Sequence, residues 1–459
     1  MQSIQNQNKI KLADEFSYGR LARFTFPSII IMIFSAFYGI VDGYFISNHV
    51  GETAFASVTL IIPFVQIISC MGVVLGADGG ALIARTLGIG NREKAGRYFT
   101  MTMFATLIGG ILFTAIGLIT LRPAAHYLGA TQEMLQDCLT YGKICILFSG
   151  AQLAQTILLN YLVIAEKPKL ATRVVILSFL LNVILDIVFV DERFLNMGVM
   201  GAAIATGISQ TVSVSILLLW FASKSNRTAL RFRKTRIEYS VLRKAGYTGS
   251  AEAISIVAAS VIGLLYNSQL MKYSGADAVK AYGVELYVSF VFTNIYNGYS
   301  NGASPILGYK FSSGRKREMR NVFKMSIVIM ATVTMALLAA VVIFARPISE
   351  IFVGYDSELV GLTVTTLTIC VMPYLVMWLN VYLSSVFSAL GMGLVSAILT
   401  FIRVLVLPVI CIISLPTILP LDPAWYTSVG VWYALTGAEI LSAIVALIIL
   451  STQKKKFNL

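Results

Sequence analysis

Charge is what this chain has little of. Only 12% of its 459 residues are Asp, Glu, Lys or Arg, while 57% are hydrophobic, and soluble domains carry about a quarter charged. A chain so poor in charge cannot cover a water-facing surface, which excludes a soluble globular protein. Histidine is scarcer still: His49 and His126 both fall in expected loops, so no imidazole stands ready as a base for intramembrane chemistry. The five cysteines (Cys70, Cys138, Cys145, Cys370, Cys411) form no CxxC or Cys/His pair. That excludes a zinc site or a disulfide framework and leaves them as small packing residues. No GxxxxGK[ST] loop is present, so ATP is not a direct energy source, and ten-residue alternating strands are absent, so the chain is not a membrane β-barrel.

What is there is a series of apolar runs of about 20 residues, each long enough to cross a hydrocarbon core of roughly 30 Å as a helix. Twelve are expected, near 24–48, 54–80, 98–121, 134–161, 170–190, 200–222, 245–271, 279–306, 321–344, 362–388, 393–415 and 428–450. With twelve spans, 28 of the 35 Lys and Arg residues fall on one side, counting Arg173 and Lys324 in the first turns of spans 5 and 9, and the positive-inside rule makes that side cytoplasmic, together with both termini. The net charge of +13 is then a mark of topology and not of nucleic-acid binding. The polar start Met1 to Asp14 leads into an apolar segment too long for a signal peptide, so that segment is the first span. The expected fold class is an all-α membrane protein with twelve transmembrane helices in two pseudo-symmetric six-helix bundles.

The two bundles follow from a duplication. Gly90 to Phe99 matches Gly314 to Phe323 at an offset of 224 residues, Arg122-Pro123 and Arg346-Pro347 keep that offset, and Gly198-Val199 with Ala203 to Thr206 echoes Gly430-Val431 with Ala434 to Thr436. The hydrophilic stretch Ser223 to Lys244, with eight basic residues, reads as a cytoplasmic linker between an N-terminal lobe, 1–222, and a C-terminal lobe, 245–459. Six spans per copy is an even number, so the repeats are parallel and a substrate is expected between them.

Polar residues inside the spans carry the functional signal. Asn182 and Asp186 lie one helical turn apart in span 5, and a carboxylate at that depth costs several kcal/mol unless it faces a cavity, a partner or an ion. At 1.5 Å per residue, Asp42 lies about 27 Å along span 1, Asn182 and Asp186 about 18 to 24 Å along span 5, and Thr206 about 9 Å from the outer end of span 6. The four converge in the outer half of the N-lobe and offer the hard oxygen ligands that suit Na⁺, a proton, or each in turn. Pro27 removes a backbone hydrogen bond and either kinks span 1 or sits harmlessly in its first turn.

With these features the chain resembles the multidrug and toxic compound extrusion (MATE) transporters, in the branch with an N-lobe cation site. The resemblance rests on the twelve spans, Pro27 and Asp42 in span 1, Asn182 and Asp186 in span 5, and the Gly-Ala-Ala-x-Ala-Thr ending at Thr206. It implies an antiporter that exports organic, cationic or amphipathic compounds in exchange for Na⁺ or H⁺ by alternating access, without a cofactor, with Asp42, Asn182, Asp186 and Thr206 binding the cation. Another branch uses a Glu in span 7 and a Tyr-x3-Asp in span 10. This chain departs there, with Trp378 four residues after Tyr374 and Glu252 near the cytoplasmic end of its span.

Candidates for the substrate cavity are Gln152, Gln155, Glu285, Asn294, Tyr296, Trp378 and Glu439, each also readable as interhelical packing. The partners expected are small organic substrates and membrane lipid, with the protein acting as a monomer in the cell membrane. The competing functions are a lipid-linked saccharide flippase, which would want a basic cavity for phosphates, and an intramembrane enzyme, which would want a reactive constellation that is not seen.

Overall fold

The computed structural model describes residues 11–457 apart from 77–78, 129, 225, 236–237, 354–356, 420 and 423–426. Helices account for nearly all of it. The N-terminal half holds α1 (Tyr18–His49), α2 (Glu52–Gly76), the short α3 (Gly79–Gly88), α4 (Arg92–Tyr127), α5 (Gln132–Ile164), α6 (Pro168–Val190) and α7 (Gly198–Ala222). The C-terminal half holds α8 (Tyr239–Ser312), α9 (Lys316–Val353), α10 (Ser357–Cys370), α11 (Tyr374–Ala389), α12 (Gly393–Phe401), α13 (Leu407–Ile418) and α14 (Val429–Phe457). Among the described residues the only strands are Leu421–Asp422 and Thr427–Ser428, paired antiparallel just before α14.

Local chemistry sets several of these boundaries. Asn91 opens α4 by accepting the Lys94 N–H at 2.9 Å, and Thr131 opens α5 by accepting that of Met134 at 3.3 Å. Gly90 and Gly314, at φ 88° and 74°, make the same left-handed step before α4 and α9 in the two halves. Span 1 begins at Tyr18, earlier than expected, so Pro27 lies inside the helix and not in its first turn. Spans 7 and 8 are the two arms of α8, broken only at Gly275 with φ 79° and ψ −176°. The tenth span is the bent pair α10 and α11, 44° apart around Pro373, where the ring takes away a ladder donor. Between α12 and α13 the chain widens into a π-helical turn, Ile402–Val406, immediately before Pro408, whose missing N–H leaves the carbonyls of the preceding turn to be paired differently.

Seven single segments are long and apolar enough to cross a bilayer by themselves among the described residues, and the bent pair makes an eighth. With α1, α2 and the two arms of α8, the spans number twelve, in two six-helix bundles.

Helix α1 packs on α6 and α7 within its own bundle and on α8 across the boundary, joined there by α2 and α3. The close approach uses glycines: a Cβ on Gly298 would lie 2.6 Å from the Ile29 Cα, one on Gly302 3.0 Å from the Thr25 Cα, and one on Gly88 2.4 Å from the Tyr309 carbonyl oxygen. Small residues that let backbones touch are the usual means of joining helices in lipid, where no hydrophobic drive operates between them. All three glycines lie toward the face that carries the basic loops. There the Arg85 guanidinium also fills the space beside Gly391, which sits at φ 84°. The largest apolar core runs across this seam, from Leu21, Phe24 and Tyr161 to Ala303, Ile306 and Phe387, whereas Phe45, Ile46, Val58 and Leu121 form a separate core at the far end of the N-terminal bundle.

Gly298→Val should therefore destabilise the purified protein by about 1–3 kcal/mol, the usual cost of overpacking. Gly263→Val, at a glycine with no neighbour within 4 Å, should leave the thermal transition unchanged. Equal transitions for the two variants would count against a glycine-dependent seam.

Candidate functional site

Helices α1, α6 and α7 bring four polar side chains to one point. Asp42 on α1 is 4% exposed, and Asn182 and Asp186 on α6 are fully buried. The Thr206 hydroxyl donates to Asp42 Oδ2 at 2.7 Å, and the Asn182 amide donates to Asp42 Oδ1 at 3.3 Å and to Thr206 Oγ1 at 3.0 Å. Every donor of this cluster thus points at Asp42 or Thr206, which leaves Asn182 Oδ1 and both oxygens of Asp186 with no hydrogen-bond partner among the described residues. Asp186 lies close enough to Asp42 for the two carboxyls to interact. Buried acceptors without donors cost the full desolvation of each group, and two adjacent carboxylates in hydrocarbon cannot both stay charged without a cation. Three unpaired oxygens beside a third carboxylate oxygen suit a small hard cation, or a proton held between the two acids.

One turn deeper the polar groups are neutral, and the Tyr38 hydroxyl among them is unpaired among the described residues. Gln155 Nε2 donates to Ser178 Oγ at 3.2 Å, and Ser178 donates to the Ser209 carbonyl at 2.8 Å. The four-residue cluster is therefore set apart by its two carboxyls, one of which has no donor among the described residues.

A cavity of about 730 Å³ opens onto this cluster between the bundles, at the end away from the basic loops. Asp42 and Thr206 form part of its wall, and Gln66, Gln152 and Gln210 add amides. The far wall comes from the C-terminal bundle: Tyr287 and Phe290 on α8 and Phe352 on α9. Tyr287 and Phe352 stack face to face, with centroids 5.0 Å apart and planes at 18°. Asp42 is the one charged residue among the described lining, and no basic side chain takes part.

Of the side chains singled out from the sequence as cavity candidates, Gln152 lines this space and also accepts from Ser69 at 3.1 Å. The others lie elsewhere. Gln155 is in the deeper hydrogen-bond chain. Buried Glu285 takes the Tyr374 hydroxyl, Tyr296 donates to the Tyr374 carbonyl at 3.3 Å, and Thr334 donates to Tyr296 at 3.0 Å. Asn294 caps the Phe290 carbonyl on its own helix and Trp378 bonds the Leu375 carbonyl. Glu439 pairs with Arg403 at 3.1 Å and accepts from Asn380 at 2.6 Å. The Glu252 side chain is outside the described residues. Gln66, Gln210, Tyr141 and Cys145 line the cavity and were not foreseen, although two amides in apolar runs were a legible signal.

The MatE family model matches the chain twice, over residues 27–188 and 252–413. Both ends of the two matches are 225 residues apart, so the internal repeat is one family unit used twice. At that spacing Asp42, Asn182 and Asp186 fall opposite Asn267, Leu407 and Cys411, and the acids belong to the first copy alone. The multidrug export protein MepA of Staphylococcus saprophyticus is 25% identical, with 94% of this chain and 92% of that protein aligned. MepA of Staphylococcus aureus is 23% identical over 94% and 92%. Among solved structures, an outward-facing multidrug resistance MATE family transporter superposes with a TM-score of 0.87 at 21% identity, covering 97% of this chain and 98% of that one. A MOP superfamily transporter from Pyrococcus furiosus, described as having a binding pocket of reverse polarity, superposes at 0.86 with 20% identity and 98% coverage of both. With the family unit matched in both halves, the chain belongs to the MatE family.

Proposed function

We propose that this protein is a secondary active multidrug exporter of the cell membrane, exchanging organic cations or amphipathic compounds for Na⁺ or H⁺ by alternating access. The observation that carries the reading is the unpaired Asp186 carboxyl beside Asp42, at the edge of a cavity with no basic side chain in its described lining. The cation binds among Asp42, Asn182, Asp186 and Thr206. It satisfies oxygens that nothing else satisfies, and a cationic substrate in the adjoining cavity competes with it for the same negative charge. Exchange follows, because the two ligands favour different populations of states.

The lobes act as the units 1–222 and 245–459, joined by 223–244, in a monomer with both termini in the cytoplasm. The cavity then faces outward and the glycine seam closes the cytoplasmic side. Export of a phosphate-bearing lipid-linked saccharide fits poorly, since nothing basic in the described wall meets the phosphates.

Asp186→Asn keeps the side-chain volume and removes the charge. In proteoliposomes with imposed Na⁺ or H⁺ gradients, Asp186→Asn and Asp42→Asn should reduce gradient-driven efflux at least tenfold, and Asn182→Ala and Thr206→Ala should reduce it several-fold, all with normal insertion. Normal coupling in both aspartate variants together with loss in Glu285→Gln would move the ion site to the C-lobe and sink the proposal.

The Tyr287–Phe352 stack gives the substrate site a wall of ring faces, which attract cations by about 0.5–2 kcal/mol beyond ordinary apolar contact. Tyr287→Leu and Phe352→Leu should therefore weaken binding of a fluorescent aromatic cation by about 2- to 30-fold, the equivalent of that energy, and barely change binding of a neutral analogue of the same shape. Equal losses for both compounds would reduce the stack to an apolar surface.

A further inference from the structure

The basic face carries a contact between the lobes that the glycine seam does not explain. Residues 11–17, ahead of α1, run across the boundary and are held on both sides of it. On the N-lobe side, the Leu12 N–H donates to Glu166 Oε1 at 2.7 Å, and the Leu12 side chain, 1% exposed, is part of the core. Glu166 lies in the turn between α5 and α6, at φ 60°, an uncommon conformation for a residue with a side chain. On the C-lobe side, Lys310 near the end of α8 donates to the Asp14 carbonyl at 2.8 Å, and Arg315, just before α9, donates to the Ala13 carbonyl at 2.7 Å. Lys310 is fully buried, pairs with Glu318 on α9 and lies over the Phe16 ring. Phe16 in turn meets Phe24 of α1 edge to face at 5.9 Å.

Neighbouring residues of one short segment are therefore fixed to opposite lobes. Leu12 is tied to the N-lobe, and Ala13 and Asp14 to the C-lobe. Only one or two peptide units separate these attachments, and an extended residue spans at most about 3.6 Å. Any separation of the lobes at this face beyond a few ångströms must break one set of contacts. The bonds concerned involve charged groups, and once broken they leave a buried lysine without its cover.

We propose that residues 11–17 form a latch that holds the lobes together at the basic face in this state, and that the latch lets go each time the cavity opens to that face. It rests on the alternating-access reading for its cycle. Its resting contacts do not depend on which ion drives transport or which compound is carried.

Two measurements test it in a protein otherwise free of cysteine. In the first, Leu12→Cys is exposed to a thiol reagent on the basic face of sealed vesicles. Labelling should be slow at rest and rise at least threefold when substrate and an ion gradient are supplied; an unchanged rate under verified turnover would overturn the latch. In the second, Glu166→Ala with Arg315→Gln is combined with Tyr44→Cys, a reporter in the outer cavity, and folding is checked by monodisperse elution. Without substrate or gradient, the reporter should react with an impermeant reagent at least threefold more slowly than in the parent, because the weakened latch shifts the population away from the open outer cavity. An unchanged reporter would mean that the segment only packs. This second arm needs no transport, so a failure of the coupling scheme and a failure of the latch give different results.

Discussion

Everything in the N-lobe is arranged around the cost of keeping carboxyls in hydrocarbon. An acid at that depth must be neutralised, paired or given an ion. Here Asp42 receives both available donors, Asn182 and Thr206, and Asp186 receives none. The asymmetry makes the pair chemically useful. One carboxyl is held in place by protein donors, and the other has none among the described residues; in the proposed cycle it is met by a cation from the cavity. A fully satisfied pair would be a structural element with no reason to respond to ligand.

The second copy of the repeat meets the same constraint by another route. At the repeat spacing, the positions of the two acids hold Asn267 and Cys411, while Gln155 and Ser178 fall opposite Asn380 and Arg403. The C-lobe puts its charges there, as Arg403 bonded to Glu439, with Asn380 on the same carboxyl. An internal ion pair needs no external cation, so at these positions the second copy compensates its charge within the protein, while Glu285 elsewhere in the C-lobe takes only the Tyr374 hydroxyl. The π-helical turn that contains Arg403 lies in the same place, and such turns recur where a side chain must be aimed off the regular helical register.

The fold class was legible in the sequence because apolar run length and the sidedness of basic residues are properties of segments, and both survive averaging. The cluster at Asp42, Asn182, Asp186 and Thr206 was legible too, since an acid one turn from an amide in an apolar run has few bland explanations. Most individual cavity residues were not, although Gln152 was. Glu285, Tyr296 and Glu439 are as polar and as deep as Gln152, but helix rotation decides which of them meets a neighbour and which meets open space, and the sequence does not report rotation. The continuity of α8 is not legible because one glycine at φ 79° makes the whole connection, where a span count expects a loop. The segment 11–17 looked like a polar leader, yet its backbone carbonyls, invisible to any reading of side chains, do most of its bonding.

The seam between the lobes combines a side-chain core with close backbone approaches at Gly298, Gly302 and Gly88. Contacts of that kind in a bilayer compete with contacts between each helix and the acyl chains, with no gain from excluding water. In the proposed alternating-access cycle, the balance between open and closed forms would then be set partly by the lipid itself. A thicker or more tightly packed membrane changes how readily acyl chains enter the gap, and hydrophobic mismatch adds fractions of a kcal/mol per ångström to the difference. The same polypeptide would cycle at different rates in membranes of different composition, and the acyl chains would act as a ligand of the transport cycle.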